Sequence, residues 1–225
     1  MESRVARVRE SVAEAALRAG RDPAGVTVIA VCKTFPREDV DMAYALGMRD
    51  FGENRVQEAQ GKFAEPLPAD ARLHLIGQLQ SNKAKPAAAL FDLIQSVDRA
   101  SLIDALEKEA AKLERPIPVL LQVNVAREPQ KSGCAPEEAE ELAARMIAAP
   151  GLELRGLMTI APLVDDPELA RPTFAGLRAL RDRIAERHPV ADLSILSMGM
   201  SDDFPVAVAE GATHVRIGRA IFGTR

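Results

Sequence analysis

Lys33 is the residue at which this chain first invites a chemical reading. It closes the compact, β-branched run VTVIAVCK over 26–33, which reads as a buried strand. Side chains alternate along a strand, so Ile29, Val31 and Lys33 share one face and Val28, Ala30 and Cys32 the other. Turned into an apolar interior, a lone ammonium is desolvated. Its charged form is then disfavoured, and the neutral amine can condense with a carbonyl to form an imine. Turned the other way, the same lysine simply leaves the strand into solvent.

The opposite end of the sequence carries chemistry of a different kind. Ser197-Met198-Gly199-Met200-Ser201-Asp202 and Val215-Arg216-Ile217-Gly218-Arg219 each follow or span a short apolar run. Glycines at 199 and 218 allow close backbone approach, and hydroxyls at Ser197 and Ser201 with free backbone amides suit a phosphate. Alternation sets His214, Arg216 and Gly218 on one face, so Arg216 either points inward beside a ligand ring or closes a structural ion pair. Asn54, after Phe51-Gly52-Glu53, meets a polar ligand atom or caps a helix. His74 is a buried group with its hydrogen bonds satisfied or an acid/base. Met158-Thr159 ends another apolar run, and Glu128–Gly133 after Asn124 forms a lid or a surface turn. The three histidines, His74, His188 and His214, show no metal-ligand spacing. Cys32 is expected to face a helical layer and to be inert.

These residues need elements that bring them together. Val5, Val8, Val12 and Ala16 recur at helical spacing. Short apolar runs then alternate with amphipathic segments: 26–33, 50–52, 72–77, 92–96, 117–125, 152–158, 193–197 and 213–218. Leu102, Leu106, Ala110 and Leu113 form one helical stripe, and Phe174, Leu177, Leu180 and Ile184 another. Asp166-Pro167 has the form of an N-cap with proline at the first helical position. Eight strand–helix alternations predict an α/β fold, a single (β/α)8 barrel over 1–225. Barrels place active sites at the C-terminal ends of their strands and often bind phosphate after strands seven and eight, where the two glycine turns fall. An open doubly wound sheet is the alternative, but Lys33-Thr34-Phe35-Pro36 stands where its glycine fingerprint belongs.

Composition narrows the class. With 33 acidic and 29 basic residues the formal net charge is −4, against a general nucleic-acid binder. Cys32 and Cys134 lie far apart and outside any C-x-x-C pattern, which suits free thiols in the cytoplasm. The N-terminus lacks the apolar run of a signal peptide, and no stretch approaches the roughly 18 apolar residues of a membrane span.

Six ordered blocks then carry a resemblance: Ala30-Val31-Cys32-Lys33-Thr34; Phe51-Gly52-Glu53-Asn54; His74-Leu75-Ile76-Gly77 with Leu79-Gln80-Ser81-Asn82-Lys83; Gly156-Leu157-Met158-Thr159; Ser197-Met198-Gly199-Met200-Ser201; and Val215-Arg216-Ile217-Gly218. Together they resemble the pyridoxal phosphate homeostasis proteins, relatives of the alanine racemase N-terminal barrel (the fold type III pyridoxal phosphate proteins), from the first strand to Phe222-Gly223. The resemblance implies pyridoxal 5′-phosphate as the cofactor, with Lys33 as the imine lysine and Arg216 as the partner of the pyridine nitrogen. It implies Ser197, Ser201, Gly218 and the backbone of Arg219 near the phosphate, and Asn54, His74 and Met158 around the ring. It further implies a monomeric, cytosolic protein that buffers the cofactor in vitamin B6 homeostasis. Cys32 departs from the serine common in the family, Arg55 and Leu73 from an aromatic residue, and Gln78 from a proline. Those departures bear on the pocket wall and leave the imine lysine in place.

Two features speak for a carrier over an enzyme. Arginine keeps its proton, so Arg216 would hold the ring nitrogen as an acceptor and weaken the electron sink that carbanion chemistry needs. Racemization also needs a second acid/base on the other face. In the alanine racemase fold that group is a tyrosine from a further domain. Here the sequence ends at Arg225, just after strand eight, and the only tyrosine, Tyr44, falls in the helix after strand one. An open pocket would let bound cofactor exchange with solvent or with apo-enzymes that use it. The competing function is an enzyme acting on a phosphorylated metabolite through Lys33, with His74 as the acid/base candidate. A plain interaction scaffold leaves Lys33 and Arg216 at the barrel mouth without a purpose.

Overall fold

The computed structural model describes residues 1–223. Its elements run α1 (Glu2–Arg18), β1 (Thr27–Val31), α2 (Arg37–Ala45), β2 (Asp50–Glu53), α3 (Val56–Lys62), β3 (Arg72–Leu75), α4 (Ala84–Leu90), β4 (Leu93–Val97), α5 (Ala100–Leu113), β5 (Ile117–Gln122), α6 (Ala139–Ala148), β6 (Leu152–Met158), α7 (Arg171–Arg187), β7 (Ile195–Met200), α8 (Phe204–Ala209), β8 (His214–Ile217) and α9 (Arg219–Phe222). Each strand pairs in parallel with the next, and β8 pairs with β1, so the sheet closes into an eight-stranded barrel. The open-sheet alternative is excluded by that closure.

Period-two alternation divides the strands between two environments. Ala30, Cys32, Phe51, Leu75, Ile94, Val119, Leu121, Leu196, Val215 and Ile217 pack outward against the helices in the main core. Inside the barrel a small apolar cluster of Leu93, Leu120 and Met158 is flanked by Ile160 and Ile195. The helical stripes pack against the sheet as their spacing predicts. Phe174, Leu177, Leu180 and Ile184 of α7 are all buried, as are Leu102, Leu106 and Ala110 of α5, while Leu113 lies exposed at the frayed end of its stripe.

Most strand boundaries shift by one to three residues from the sequence expectation, β5 for instance stopping at Gln122, and three regions bear on the site. β1 stops at Val31, and Lys33 lies in the turn beyond it, because Thr34 takes a left-handed φ of 64° that no strand continues through. Asp166-Pro167 opens a short 3-10 turn, Pro167–Ala170, that feeds α7; the Asp166 carboxylate accepts from the Glu168 amide at 3.0 Å. β7 runs three residues further than expected, to Met200, with its pairing to β8 shifting between Ser197 and Met200. Gly199, at φ 92°, makes that shift possible. A Cβ there would come within 2.6 Å of the Ala207 methyl, so this glycine serves the close approach of α8 to the sheet rather than room for a ligand. Among the described residues no helix is long and apolar enough to cross a membrane.

Candidate functional site

A cavity of about 760 Å³ opens at the C-terminal end of the barrel. Its wall brings together residues from both ends of the sequence: Lys33 and Val31 after and within β1, Asn54 after β2, Ile76 and Gly77 after β3, Met200 and Ser201 at the end of β7, and Arg216, Gly218 and Arg219 at β8. Asn54 does not cap α3, whose N-cap position is Arg55. The strand ends β2 and β3 run so close that a Cβ on Gly77 would fall 2.2 Å from the Asn54 carbonyl oxygen, so the chain needs glycine there to let Asn54 reach the wall. At Gly218 the protein itself leaves room: a Cβ would meet Val31, also in the wall, only at an ordinary 3.5 Å.

Lys33 is exposed at the rim. Of the two readings of this lysine, the solvent-facing one holds, although its side chain still borders the cavity. The turn at Thr34 lifts the side chain past the apolar layers of the barrel, and what places the amine in the cavity is the end of the strand, not burial. Cys32 does face the helical layer and is fully buried. Its thiol lies 3.3 Å from Glu53 Oε1, and burial, aided by that carboxylate, pushes it well above the usual thiol range, which disfavours the reactive thiolate.

Arg216 is the counterpart of Lys33 in every respect. It is 4% exposed, yet borders the cavity. One nitrogen donates to Ser197 Oγ at 2.7 Å and another to the Thr159 carbonyl at 2.7 Å. Because Ser197 Oγ accepts from arginine, it donates onward to Gln95 Oε1 at 2.6 Å. The Gln95 amide nitrogen then donates to His74 Nδ1 at 3.1 Å, which leaves His74 Nε2 as the donor to Asp50 Oδ1 at 3.0 Å. Five strands thus share one directional chain of hydrogen bonds across the barrel interior. Burial pulls the Arg216 guanidinium down to about 10, with the Asp203 carboxylate opposing, so it remains charged at neutral pH. Asp203 in turn accepts from the Met200 amide at 2.5 Å and fixes the turn that carries Ser201. Across the rim, Arg219 pairs with Asp202 at 2.5 Å and ties the loop after β7 to the start of α9.

Of the nine residues singled out in the sequence, six meet in the cavity wall: Lys33, Asn54, Ser201, Arg216, Gly218 and Arg219. Ser197, His74 and Met158 lie beneath it, Ser197 and His74 in the hydrogen-bond chain and Met158 in the interior apolar cluster. His74 is the satisfied buried group of its two readings, and Arg216 points inward to the cavity, held by Ser197 and the Thr159 carbonyl rather than by an ion pair. Of the departures from the family, Gln78 lines the cavity, Leu73 packs in the main core and Arg55 lines a separate surface pocket. Gln95 and Gln122 were not singled out in the sequence, and Lys131 entered only within the loop 128–133 read as a lid or a surface turn. Gln95 stands out only as an amide in the middle of an apolar strand, which demands partners once buried. Lys131 borders the cavity from the loop after β5, held by the Ala161 carbonyl and Glu128.

Comparison with known proteins gives a consistent set of likenesses. Residues 5–225 match the family described as alanine racemase, N-terminal domain. The pyridoxal phosphate homeostasis protein of Pseudomonas aeruginosa is 45% identical over 225 residues, 98% of this chain and 94% of that protein. PipY of Synechococcus elongatus PCC7942 superposes with a TM-score of 0.88 when solved without PLP (40% identity, 99% of this chain and 100% of that one). Solved with PLP bound, it superposes at 0.84 (41% identity, 96% and 100%).

Proposed function

Since the chain belongs to the alanine racemase N-terminal domain family and, within it, to the pyridoxal phosphate homeostasis proteins, we propose that its cavity holds pyridoxal 5′-phosphate for storage and exchange rather than for turnover. The observation that carries this reading is that Lys33 and Arg216, an amine and a fixed cation from opposite ends of the sequence, border one cavity. The donor set fits the cofactor. Lys33 supplies a primary amine for its aldehyde. Arg216 supplies a donor that keeps its proton, suited to an unprotonated ring nitrogen. Ser201 and the first-turn amides at Gly218 and Arg219 supply neutral donors for a phosphate. Asn54 is the polar contact at the ring, and Ser197, His74 and Met158 support the floor from below.

When bound, the cofactor supplies an aldehyde that condenses with an amine and a ring that accepts electrons. This chain restrains the second property. Charged at neutral pH, Arg216 would leave the ring nitrogen unprotonated and the electron sink weak. Among the described residues the cavity wall has no histidine, tyrosine or cysteine to act as a second acid/base, and its other titratable groups, Lys131 and Asp202, are tied up in ion pairs with Glu128 and Arg219. Tyr44 lies away from it, donating to Asp70 Oδ1 at 2.6 Å. His74, the acid/base required by a phosphorylated-metabolite enzyme, is not in the wall either, which weighs against that alternative. The relatives bear the name of homeostasis proteins, in keeping with this. The same reading has the protein acting as a monomer in the cytoplasm and handing cofactor to apo-enzymes through the open rim.

Absorption spectra of the protein with added pyridoxal 5′-phosphate, before and after borohydride, test the site. The expected result is an absorption band of the lysine-linked cofactor that borohydride fixes to Lys33 and that Lys33→Ala lacks. Wild-type protein without such a band would overturn the reading. Robust racemization lost in Lys33→Ala would overturn its carrier half.

A further inference from the structure

Beneath the Lys33 turn, between the barrel wall and α3, lies a cluster of charged side chains that the proposed cofactor site does not use. Lys62, at the end of α3, is 7% exposed in its side chain, and Glu53, at the end of β2, is fully buried. Lys62 Nζ donates to Glu53 Oε1 at 2.5 Å and to the backbone carbonyl of Cys32 at 2.7 Å, and lies 3.5 Å from Glu58 Oε1. Glu58 Oε1 accepts the backbone amide of Thr34. The two peptide groups that flank Lys33 are therefore held from one side, the carbonyl before it by an ammonium and the amide after it by a carboxylate.

This hold has something to oppose. Thr34 is β-branched and sits at φ 64°, a conformation such residues avoid. The cost of burying charges here is also visible: Glu53 Oε2 is buried without a hydrogen-bond partner. A Glu–Lys pair packed between helix and sheet is a poor source of stability by itself. Its geometry makes sense as a fixture for the backbone that carries Lys33. Burial raises the Glu53 carboxyl, and Lys62 counters that rise.

We propose that Lys62 and Glu58, braced by Glu53, are positioning residues that clamp the peptide groups on either side of Lys33 and aim its amine into the cavity. The proposal rests on Lys33 being the cofactor's anchor and adds how the chain directs it. The clamp touches no cofactor atom. It acts on the direction and residence of the lysine, so it governs the rate and extent of the covalent link and leaves the noncovalent grip at Arg216, Ser201 and Gly218 alone.

The test separates these quantities. Glu58→Ala removes the acceptor of the Thr34 amide, and Glu58→Gln keeps an oxygen there. Lys62→Met combined with Glu53→Leu removes the ammonium without leaving a buried carboxylate alone. In Glu58→Ala the borohydride-trapped link at Lys33 should form roughly tenfold more slowly, the weight of one hydrogen bond to a charged group. Affinity for pyridoxine 5′-phosphate, which has the phosphate and ring but no aldehyde, should stay within about twofold, because no contact of the noncovalent site changes. Glu58→Gln should recover most of the rate. In cofactor-free protein the Thr34 amide should exchange its hydrogen roughly tenfold faster in Glu58→Ala, since the bond protecting it is gone. The Lys62/Glu53 double variant should show the same split between link and analogue. Wild-type protein that binds the analogue but never links at Lys33 would count against the anchor itself. Wild-type protein that links normally, with variants that link at the same rate or that lose link and analogue affinity in equal measure, would overturn the clamp alone.

Discussion

The two cationic ends of the cavity are built in opposite ways. Arg216 is buried, and its position is set by side chains inside the barrel, through Ser197, Gln95, His74 and Asp50 on four other strands. Lys33 is exposed on a turn, and its direction is set by backbone contacts from Lys62 and Glu58 outside the barrel. The difference matches two tasks. A group that recognises a ring by one hydrogen bond must be rigid before the ligand arrives, because every ångström of freedom is lost affinity. A group that forms and releases a covalent bond must move between linked and unlinked positions, so an exposed amine on a braced turn serves it better than a buried one.

Stability measurements break or sharpen that contrast most strongly. Arg216→Ala deletes two hydrogen bonds at once and leaves Ser197 Oγ and the Thr159 carbonyl buried without that donor. It should cost about 2–4 kcal/mol in urea unfolding. Lys33→Ala should shift the same curve by no more than about 0.5 kcal/mol, as expected for an exposed side chain. Equal costs for the two would remove the distinction. A smaller effect follows from Gln95→Leu, which keeps the shape of the interior but interrupts the chain between Ser197 and His74. A loss of about 1–3 kcal/mol is expected, with a weaker grip on pyridoxine 5′-phosphate and an unchanged rate of linkage for the molecules that do bind. A change in linkage rate instead would mean that the two ends are coupled.

The smallest effect concerns pH. His214 lies beside His74 at a ring separation of 6.3 Å, and burial pulls it from 6.5 to about 4, with His74 adding to the fall. A folded state that holds this ring neutral binds fewer protons than the unfolded chain. Stability is therefore full above pH 6.5 and declines as pH falls toward 4, by at most about 1.4 kcal/mol per unit for this one group. The decline measured between pH 6.5 and 5 should be shallower in His214→Asn. An identical slope would place the loss elsewhere.

The barrel was legible because β-branched runs and helical stripes alternate eight times, and each stripe buries the face its spacing predicts. Lys33, Arg216 and Gly218 were legible as a set because strand ends meet at one rim of a barrel, wherever they stand in the chain. What the sequence did not disclose is depth. Alternation puts Ser197, His74 and Met158 on the inward face with Arg216, but the layer each occupies depends on strand stagger, and those three fall below the cavity. Lys62 and Glu58 were hidden for a related reason. At i and i+4 they read as an ordinary exposed helical pair, and only the close packing of α3 on the end of β1 turns them toward the peptide groups around Lys33.

The cavity rim also sets how an anion arrives. The chain carries a formal charge of −4, yet among the described residues the wall of its mouth holds four cations, Lys33, Lys131, Arg216 and Arg219, against the carboxylate of Asp202, with Glu128 and Asp203 close behind Lys131 and Arg216. A chain of net negative charge thus offers anions a cation-lined opening, with low-dielectric walls that focus the field. Diffusional encounters with a doubly charged phosphate ester are steered there from the bulk. Capture therefore slows as added salt screens the rim, and departure, governed by the contacts inside, hardly changes.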